Sequence, residues 1–352
     1  MQTQIVSIGA DDTSASIKEK LLVAENIIKQ GGLVAFPTET VYGLGGDALN
    51  PESSNKIYAA KGRPSDNPLI IHIADMQHLD KIVREVPQNA YKLATAFWPG
   101  PLTMVLNKSD LVPYQTTGGL DTVAVRMPSH PLANQFIRYS GGYVAAPSAN
   151  RSGKPSPTTT KYVIQDLYGR IDMIIDATGV EIGLESTIVD VTTDVPIILR
   201  PGYITQEAVS RVVGETDMDV TVYSNSSGQA PKAPGMKYRH YAPKGELILV
   251  EGTLENTACY INEQIHMHKL NGEKTGIIDT NRLIAKCSAD SMKDIGSREQ
   301  PIEAARLLYT YLREFDDENI EYMYAECFED KGLGQAVMNR LLKAAGHKVI
   351  QV

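Results

Sequence analysis

Residues 61–74, KGRPSDNPLIIHIA, place a polar turn directly before an apolar run and do most to decide the fold. The apolar part, 68–74, is short and rich in isoleucine, which is typical of a buried strand. The stretch before it, 51–61, has a helical pattern, with Pro51 tolerated near its start and Gly62 just past its end. A helix, a polar turn and a buried strand in this order predict a mixed α/β domain.

Apolar runs of the same kind recur on both sides of this stretch, separated by helical patterns. They predict strands over 33–36, 68–74, 101–107, 121–127, 143–148, 171–177, 186–191 and 196–200, and helices over 18–30, 51–61, 87–98, 131–140 and 158–169. The Gly-rich stretch TETVYGLGGDAL, residues 38–49, follows Pro37 and is expected to form a loop. The first part of the chain is therefore predicted to be an α/β domain on a twisted, open sheet.

The composition changes near residue 214. The stretch SNSSGQAPKAPG, 224–235, is rich in Ser, Gly and Pro, as linkers are. Beyond it, strands and helices alternate, which predicts a smaller parallel-sheet domain of Rossmann-like layout. Three segments are predicted: a catalytic domain over 1–213, a linker over 214–243 and an accessory domain over 244–352.

The charge and the cysteines exclude several classes of protein. The chain has 352 residues and a formal net charge of −8, whereas proteins that mainly grip nucleic acid usually have a basic excess. Cys259, Cys287 and Cys327 are odd in number, lack zinc-ligand spacing and are expected to be reduced thiols. The N-terminus shows no signal-peptide pattern, so a cytoplasmic protein is expected.

Common catalytic motifs are absent from the sequence. It contains no P-loop, no G-x-S-x-G and no H-E-x-x-H. The stretch Gly43-Leu-Gly45-Gly46 is only a weak, partial match to a dinucleotide-binding fingerprint. His266 and His268 stand at the end of a predicted helix, where a solvated surface pair is expected. A kinase or a hydrolase of a common motif class is therefore not predicted.

Four cations instead stand at the edges of apolar runs: Lys61, Arg63, Arg126 and Arg200. Taken singly, each could be an ordinary solvated charge at the end of a helix or strand. If they converge, they form a cavity suited to a polyphosphate and a carboxylate, and the Asn67 and Asn150 amides would add neutral hydrogen-bonding groups.

Seven ordered segments resemble the YrdC-like family, which makes threonylcarbamoyl-adenylate, the activated intermediate for N6-threonylcarbamoyladenosine in tRNA. They are PTETVYGLG (37–45), KGRPSDNPLIIHIA (61–74), WPGPLT (98–103), TVAVRMPSHPLA (122–133), APSANRSGKPSPT (146–158), GLESTIVD (183–190) and LRPG (199–202). APGMKYRHYAPKGE (233–246) and the C-terminal domain look like the longer, two-domain form. The resemblance implies a YrdC-like catalytic domain and a nucleotidyltransferase that joins L-threonine, bicarbonate or CO2, and ATP, and releases pyrophosphate.

The resemblance also implies site residues. The family's Lys-x-Arg and Ser-x-Asn signatures fall on Lys61, Arg63, Ser148 and Asn150, which would be catalytic. Its ATP contacts would fall on Arg63, Asn67, Thr122, Ser148, Ser156, Arg200 and Tyr238. Its threonine contacts would fall on Thr40, His72, Arg126, Ser186 and the backbone at Ala146. Mg2+ is expected to be held by the ATP phosphates rather than by protein side chains.

The partners follow from the same resemblance. The product would pass to a tRNA threonylcarbamoyl transferase, direct tRNA binding is expected to be weak, and no membrane is involved. The stretch 237–241 of the linker is predicted to close over the nucleotide as a lid.

Two alternatives remain open. One is a module that binds tRNA or double-stranded RNA through the same basic cavity, against which stand the net charge and the lack of interleaved aromatic and basic residues. The other is adenylation of a carbamoyl-phosphate-derived group, as in hydrogenase maturation. Those enzymes carry zinc-finger and acylphosphatase segments that this chain lacks.

Overall fold

The computed structural model describes residues 2–222, 240–328 and 331–352. These residues fall into two compact units. The first unit holds most of the described residues up to 222, and the second holds those from 240 onward together with two short segments, Gly153–Pro155 and Ile182–Leu184. Most of the predicted linker, 214–243, lies outside the described residues, so its path and its role as a lid stay predictions.

The first unit contains a mixed sheet of eleven described strands, as the predicted α/β class requires. In chain order they are β1 (Gln4–Ile8), β2 (Val34–Phe36), β3 (Gly43–Asp47), β4 (Ile70–His72), β5 (Leu102–Asn107), β6 (Thr122–Arg126), β7 (Val144–Ala145), β8 (Met173–Ala177), β9 (Thr187–Asp190), β10 (Ile197–Arg200) and β11 (Asp217–Met218). Their order across the sheet is β1-β8-β2-β3-β7-β4-β6-β5-β9-β10-β11. The parallel pair β4 and β6 thus lies near the middle of the sheet, between β7 and β5.

Helices connect these strands. They are α1 (Ser14–Lys29), α2 (Pro51–Lys61), α3 (Leu79–Ile82), α4 (Gln88–Phe97), α5 (Tyr114–Thr117), α6 (Pro131–Tyr139), α7 (Thr160–Leu167) and α8 (Gln206–Val213), with short 3-10 turns at Met76–His78 and Val220–Val222. The ends of α2 show why the prediction over 51–61 was accurate. Asn50 caps the helix by accepting from the backbone N–H of Glu52, Pro51 occupies the first turn, and Gly62 ends it at φ +63°.

The loop expected over 38–49 is wrong in part, because Gly43–Asp47 forms β3, antiparallel to β2. Glycine is needed here for close packing. A Cβ at Gly45 would lie 2.9 Å from Val144 Cγ1 and 3.0 Å from Phe36 Cε1. The glycines that suggested a loop therefore let this strand fit against its neighbours.

The second unit is a five-stranded, wholly parallel sheet with helices between the strands, which confirms the Rossmann-like prediction. Its strands are β12 (Glu246–Glu251), β13 (Thr275–Asp279), β14 (Ser291–Asp294), β15 (Tyr322–Glu326) and β16 (Val349–Gln351), in the order β14-β13-β15-β12-β16. Its helices are α9 (Leu254–Leu270), α10 (Asn281–Ile284), α11 (Pro301–Glu318) and α12 (Gly332–Ala344). Within the described ranges, none of the helices has the length and apolar character needed to cross a membrane.

Candidate active site

The carboxyl end of β6 brings three of the predicted threonine-binding residues together. Strands β4 and β6 run parallel, and their register places His72 beside Arg126. The Arg126 side chain is buried, and its Nη1 donates a hydrogen bond to Thr40 Oγ1 at 2.9 Å. Thr40 comes from the loop that precedes β3. A buried guanidinium can bind a ligand carboxylate through charge-assisted hydrogen bonds.

A buried carboxylate that sequence reasoning did not assign faces this arginine. Glu39 Oε1 lies 2.7 Å from Arg126 Nη2, with both side chains almost fully buried. Burial alone would raise the pKa of Glu39, but the Arg126 charge and hydrogen bond outweigh it and hold the pKa below its usual value. Glu39 is therefore ionised at neutral pH. The sequence feature that could have identified Glu39 is its position next to Thr40 within the 37–45 segment.

His72 is held in its neutral form. Burial, and then the nearby Arg126 charge, lower the pKa of its imidazole to about 3. Its Nδ1 lies 3.2 Å from the backbone oxygen of Ile70. His72 can therefore offer a neutral hydrogen-bonding group at physiological pH.

Ser186 and Arg200 connect to the same region of the sheet. Arg200 Nε donates to the backbone oxygen of Ser186 at 3.1 Å, and its Nη2 donates to Ser186 Oγ at 3.3 Å. Ser186 Oγ is also 2.7 Å from Thr103 Oγ1, and Thr103 stands opposite Arg126 in the β5–β6 pair. Thr103 was not predicted, because only the strand pairing brings it here.

Ala146 follows β7, the strand next to β4. Its backbone N–H donates to the backbone oxygen of Ile70 at 2.9 Å, so the predicted threonine-binding backbone lies beside the strand that carries His72.

The Lys-x-Arg and Ser-x-Asn signatures meet through Lys61. This lysine is 2% exposed, and its Nζ donates to the backbone oxygens of Ser148 and Asn150, the latter at 2.6 Å. Ser148 Oγ in turn donates to Asn150 Oδ1 at 2.5 Å. A buried ammonium therefore fixes the shape of the 148–150 turn.

Arg63 folds back on its own loop. Its Nη2 donates to Asn67 Oδ1 at 2.5 Å and to the backbone oxygen of Pro68 at 3.0 Å. Two of the predicted ATP-binding residues, Arg63 and Asn67, are therefore in direct contact.

Two further predicted ATP-binding residues, Thr122 and Ser156, lie among the described residues. Thr122 begins β6 while Arg126 ends it, so their Cα atoms are about 13 Å apart along the strand. Ser156 Oγ donates to Glu185 Oε1 at 2.5 Å, next to Ser186, and the role of Glu185 in this contact was not predicted. Tyr238 lies outside the described residues.

The loop before β3 joins the two groups of residues. Thr40 at one end reaches Arg126, while the backbone oxygen of Tyr42 accepts from the N–H of Ala149 and Gly43 pairs with Ser148 at the other end. The arrangement presents buried cations and hydroxyl groups along one loop. Such a site can position reactants and stabilise negative charge.

Known proteins match the chain along nearly its whole length. A family model described as "Telomere recombination" matches residues 26–202, and a second, described as the C-terminal domain of threonylcarbamoyl-AMP synthase, matches residues 204–346. Threonylcarbamoyl-AMP synthase of Pyrococcus abyssi is 49% identical over 333 residues, which cover 95% of this chain and 96% of that protein. The chain belongs to the threonylcarbamoyl-AMP synthase family. It is therefore an enzyme of the nucleotidyltransferase type, and the resemblance noted in the sequence is confirmed.

Other members of the family support this placement. The threonylcarbamoyl-AMP synthase of Bacillus subtilis is 44% identical over 352 residues and covers 100% of both chains. The crystal structure of Pyrococcus abyssi Sua5 complexed with L-threonine aligns with a TM-score of 0.92 at 46% identity, over 99% of this chain and 100% of that chain.

Proposed function

We propose that this enzyme condenses L-threonine, bicarbonate or CO2, and ATP to threonylcarbamoyl-AMP, with release of pyrophosphate. The observation that carries the proposal is the buried Arg126, held beside Thr40 and His72, in a family whose Pyrococcus abyssi member has been solved with L-threonine. The product would serve the N6-threonylcarbamoyladenosine modification of tRNA through a separate transferase in the cytoplasm.

The proposed reaction needs no protein nucleophile. The threonine amine adds to CO2 and loses a proton to give a carbamate. A carbamate oxygen then attacks the α-phosphorus of ATP as the bond to the pyrophosphate oxygen breaks. Arg126 would hold the threonine carboxylate, and Lys61, Arg63 and Arg200 would stabilise the charge on the triphosphate.

The other site residues implied by the family resemblance are part of the same proposal. Ser148 and Asn150 would shape the catalytic turn, Thr40, His72, Ser186 and Ala146 would surround threonine, and Asn67, Thr122, Ser156 and Tyr238 would contact ATP. Within the described part of the chain, no cluster of three or more His, Cys, Asp or Glu side chains could hold a metal ion. We propose that Mg2+ enters bound to the ATP phosphates, whose charge it would neutralise.

The test is pyrophosphate release with each substrate omitted in turn. Release should require threonine, bicarbonate and ATP together. The Arg63→Ala variant should lose at least about a hundredfold in rate, because a buried charge-stabilising group is removed. The matched control is Arg170→Ala, which removes an exposed arginine of the same unit. Release that does not depend on threonine, or near-normal turnover of Arg63→Ala, would contradict the proposal.

A further inference from the structure

The Glu39 carboxylate is a buried charge in the first unit to which the proposed reaction gives no role. Neither of its oxygens has appreciable contact with solvent, and the same is true of Arg126 Nη2, which lies 2.7 Å from Glu39 Oε1. Removing a carboxylate from water is costly unless an opposite charge compensates it. In this ion pair, each of the two buried side chains therefore compensates the charge of the other.

The charges of Arg126, Glu39 and His72 balance one another before any ligand arrives. Arg126 is positive, Glu39 is ionised because its pKa is lowered despite burial, and the imidazole of His72 is neutral because its pKa is about 3. These three groups therefore sum to zero. A ligand that brings a carboxylate alone would add a net negative charge to a buried, neutral group.

We propose that Glu39 is a positioning and specificity-determining residue: it fixes the Arg126 guanidinium and makes the site select a zwitterionic amino acid over a simple carboxylate. This inference rests on the proposed function, in which Arg126 binds the threonine carboxylate. With Nη2 held by Glu39, Nη1 is directed to Thr40, which sets the orientation of the guanidinium plane.

Selection would act through the electric field of Glu39 rather than through direct contact, because its oxygens are shielded. At a separation of several Å in a partly buried site, an ammonium and a carboxylate still attract each other appreciably. The threonine ammonium gains this attraction, and its carboxylate is repelled by Glu39 while it binds Arg126. A ligand without the ammonium feels only the repulsion.

The experiment compares the binding of L-threonine and 3-hydroxybutyrate, which is threonine without its amine, by isothermal titration calorimetry. Glu39→Gln keeps the side-chain volume but removes the charge. It should strengthen 3-hydroxybutyrate binding relative to threonine binding, so that the preference for threonine falls by about tenfold. The control Glu25→Gln removes a carboxylate from the i,i+4 pair with the exposed Lys29 on α1 and should change the binding of neither ligand. Glu39→Asp, which retains the charge, should restore most of the preference for threonine.

Two further outcomes separate the inference from the function on which it rests. If Glu39→Gln weakens both ligands by the same factor, or changes neither, Glu39 has no role in selection and the inference is overturned. Arg126→Ala should abolish threonine binding; if that variant binds threonine normally, the assignment of Arg126 is wrong and the inference falls with it. A third result would overturn the inference but keep the assignment of Arg126: Arg126→Ala loses threonine binding, and Glu39→Gln changes the affinities for both ligands by the same factor.

Discussion

Each unit buries a carboxyl group at or just beyond the carboxyl end of a strand, but the pKa values of these two groups are shifted in opposite directions. In the first unit, Glu39 faces Arg126, and its pKa is lowered although burial acts in the opposite direction. In the second unit, Asp279 ends β13 beside Glu326, which ends β15. Burial and the neighbouring Glu326 charge raise the pKa of Asp279 well above its usual value.

The second pair is tied together by its surroundings. Asp279 Oδ1 accepts from the N–H of Thr280 at 2.6 Å, and Oδ2 accepts from the N–H of Glu326 at 2.5 Å. Glu326 in turn pairs with Arg298, whose Nη2 lies 2.6 Å from Glu326 Oε2. The partner therefore decides what a buried carboxyl group does. An arginine lowers the pKa of Glu39 beside a binding group, whereas a second acid raises the pKa of Asp279, whose oxygens accept backbone hydrogen bonds.

The largest expected effect comes from removing the cation of the first pair. Arg126→Ala would leave Glu39 buried without a counter-charge, so the free energy of unfolding should fall by about 3–5 kcal/mol. The measurement is chemical denaturation followed by a spectroscopic signal of the first unit. Arg138→Ala is the control, because Arg138 pairs with Asp75 at 3.3 Å at the exposed surface and should cost less than about 1 kcal/mol. Equal losses in the two variants would contradict the comparison.

The second expected effect is that the buried carboxyl groups Glu39 and Asp279 contribute to stability with opposite pH dependence. Glu39 and His72 have lowered pKa values in the folded protein, so their stabilising contribution is present above the unfolded values of 4.5 and 6.5 and is lost as pH falls. Asp279 has a raised pKa, so the folded state keeps a proton that the unfolded state has lost above 3.8, and stability declines as pH rises from there.

Hydrogen exchange measured by mass spectrometry can follow each unit separately, as the slope of its protection against pH. After correction for the intrinsic exchange rate, protection of β4 and β6 should increase from pH 4 to about 6.5, while protection of β13 and β15 should decrease. Glu326→Gln should flatten the second slope, because it removes a charge that raises the pKa of Asp279. Glu246→Gln, which alters an exposed pair with Lys348 in the same unit, should leave that slope unchanged. Parallel slopes in the two units would refute the contrast.

The smallest effect concerns His72 alone. Because its pKa is about 3, its ring should stay neutral, and its nitrogen chemical shifts should not change between pH 5 and 8. Resonances of exposed histidines such as His266 serve as an internal comparison. A titration of His72 near pH 6.5 would show that burial beside Arg126 does not control this group.

Much of the fold was predictable because burial imposes periodicity on local sequence. The bounds of α2 and the parallel layout of the second unit follow from helical spacing, capping residues and short apolar runs. Strand β3 was missed because its glycines serve packing across the sheet. The short strands β1 and β16 were also missed, since each depends on a neighbour distant in sequence.

In the candidate site, too, single residues could be identified from local sequence, whereas contacts between distant segments could not. The motifs identified Lys61, Arg63 and Arg126, but not what they contact. The pairing of Arg126 with Glu39 and the contact of Ser186 with Thr103 depend on strand register, which single-sequence patterns do not contain. Glu185 was visible beside Ser186, yet its bond to Ser156 joins segments far apart in the chain.

The most direct test of the proposed reaction is the mass spectrum of the nucleotide product formed from ATP, L-threonine and 13C-labelled bicarbonate. The expected product is threonylcarbamoyl-AMP that is heavier by one mass unit than the product formed with unlabelled bicarbonate, with the label in the carbamoyl group. The Arg126→Ala variant should form almost none of it. A threonine-containing nucleotide without the label, or AMP formed without any threonine adduct, would contradict the assignment.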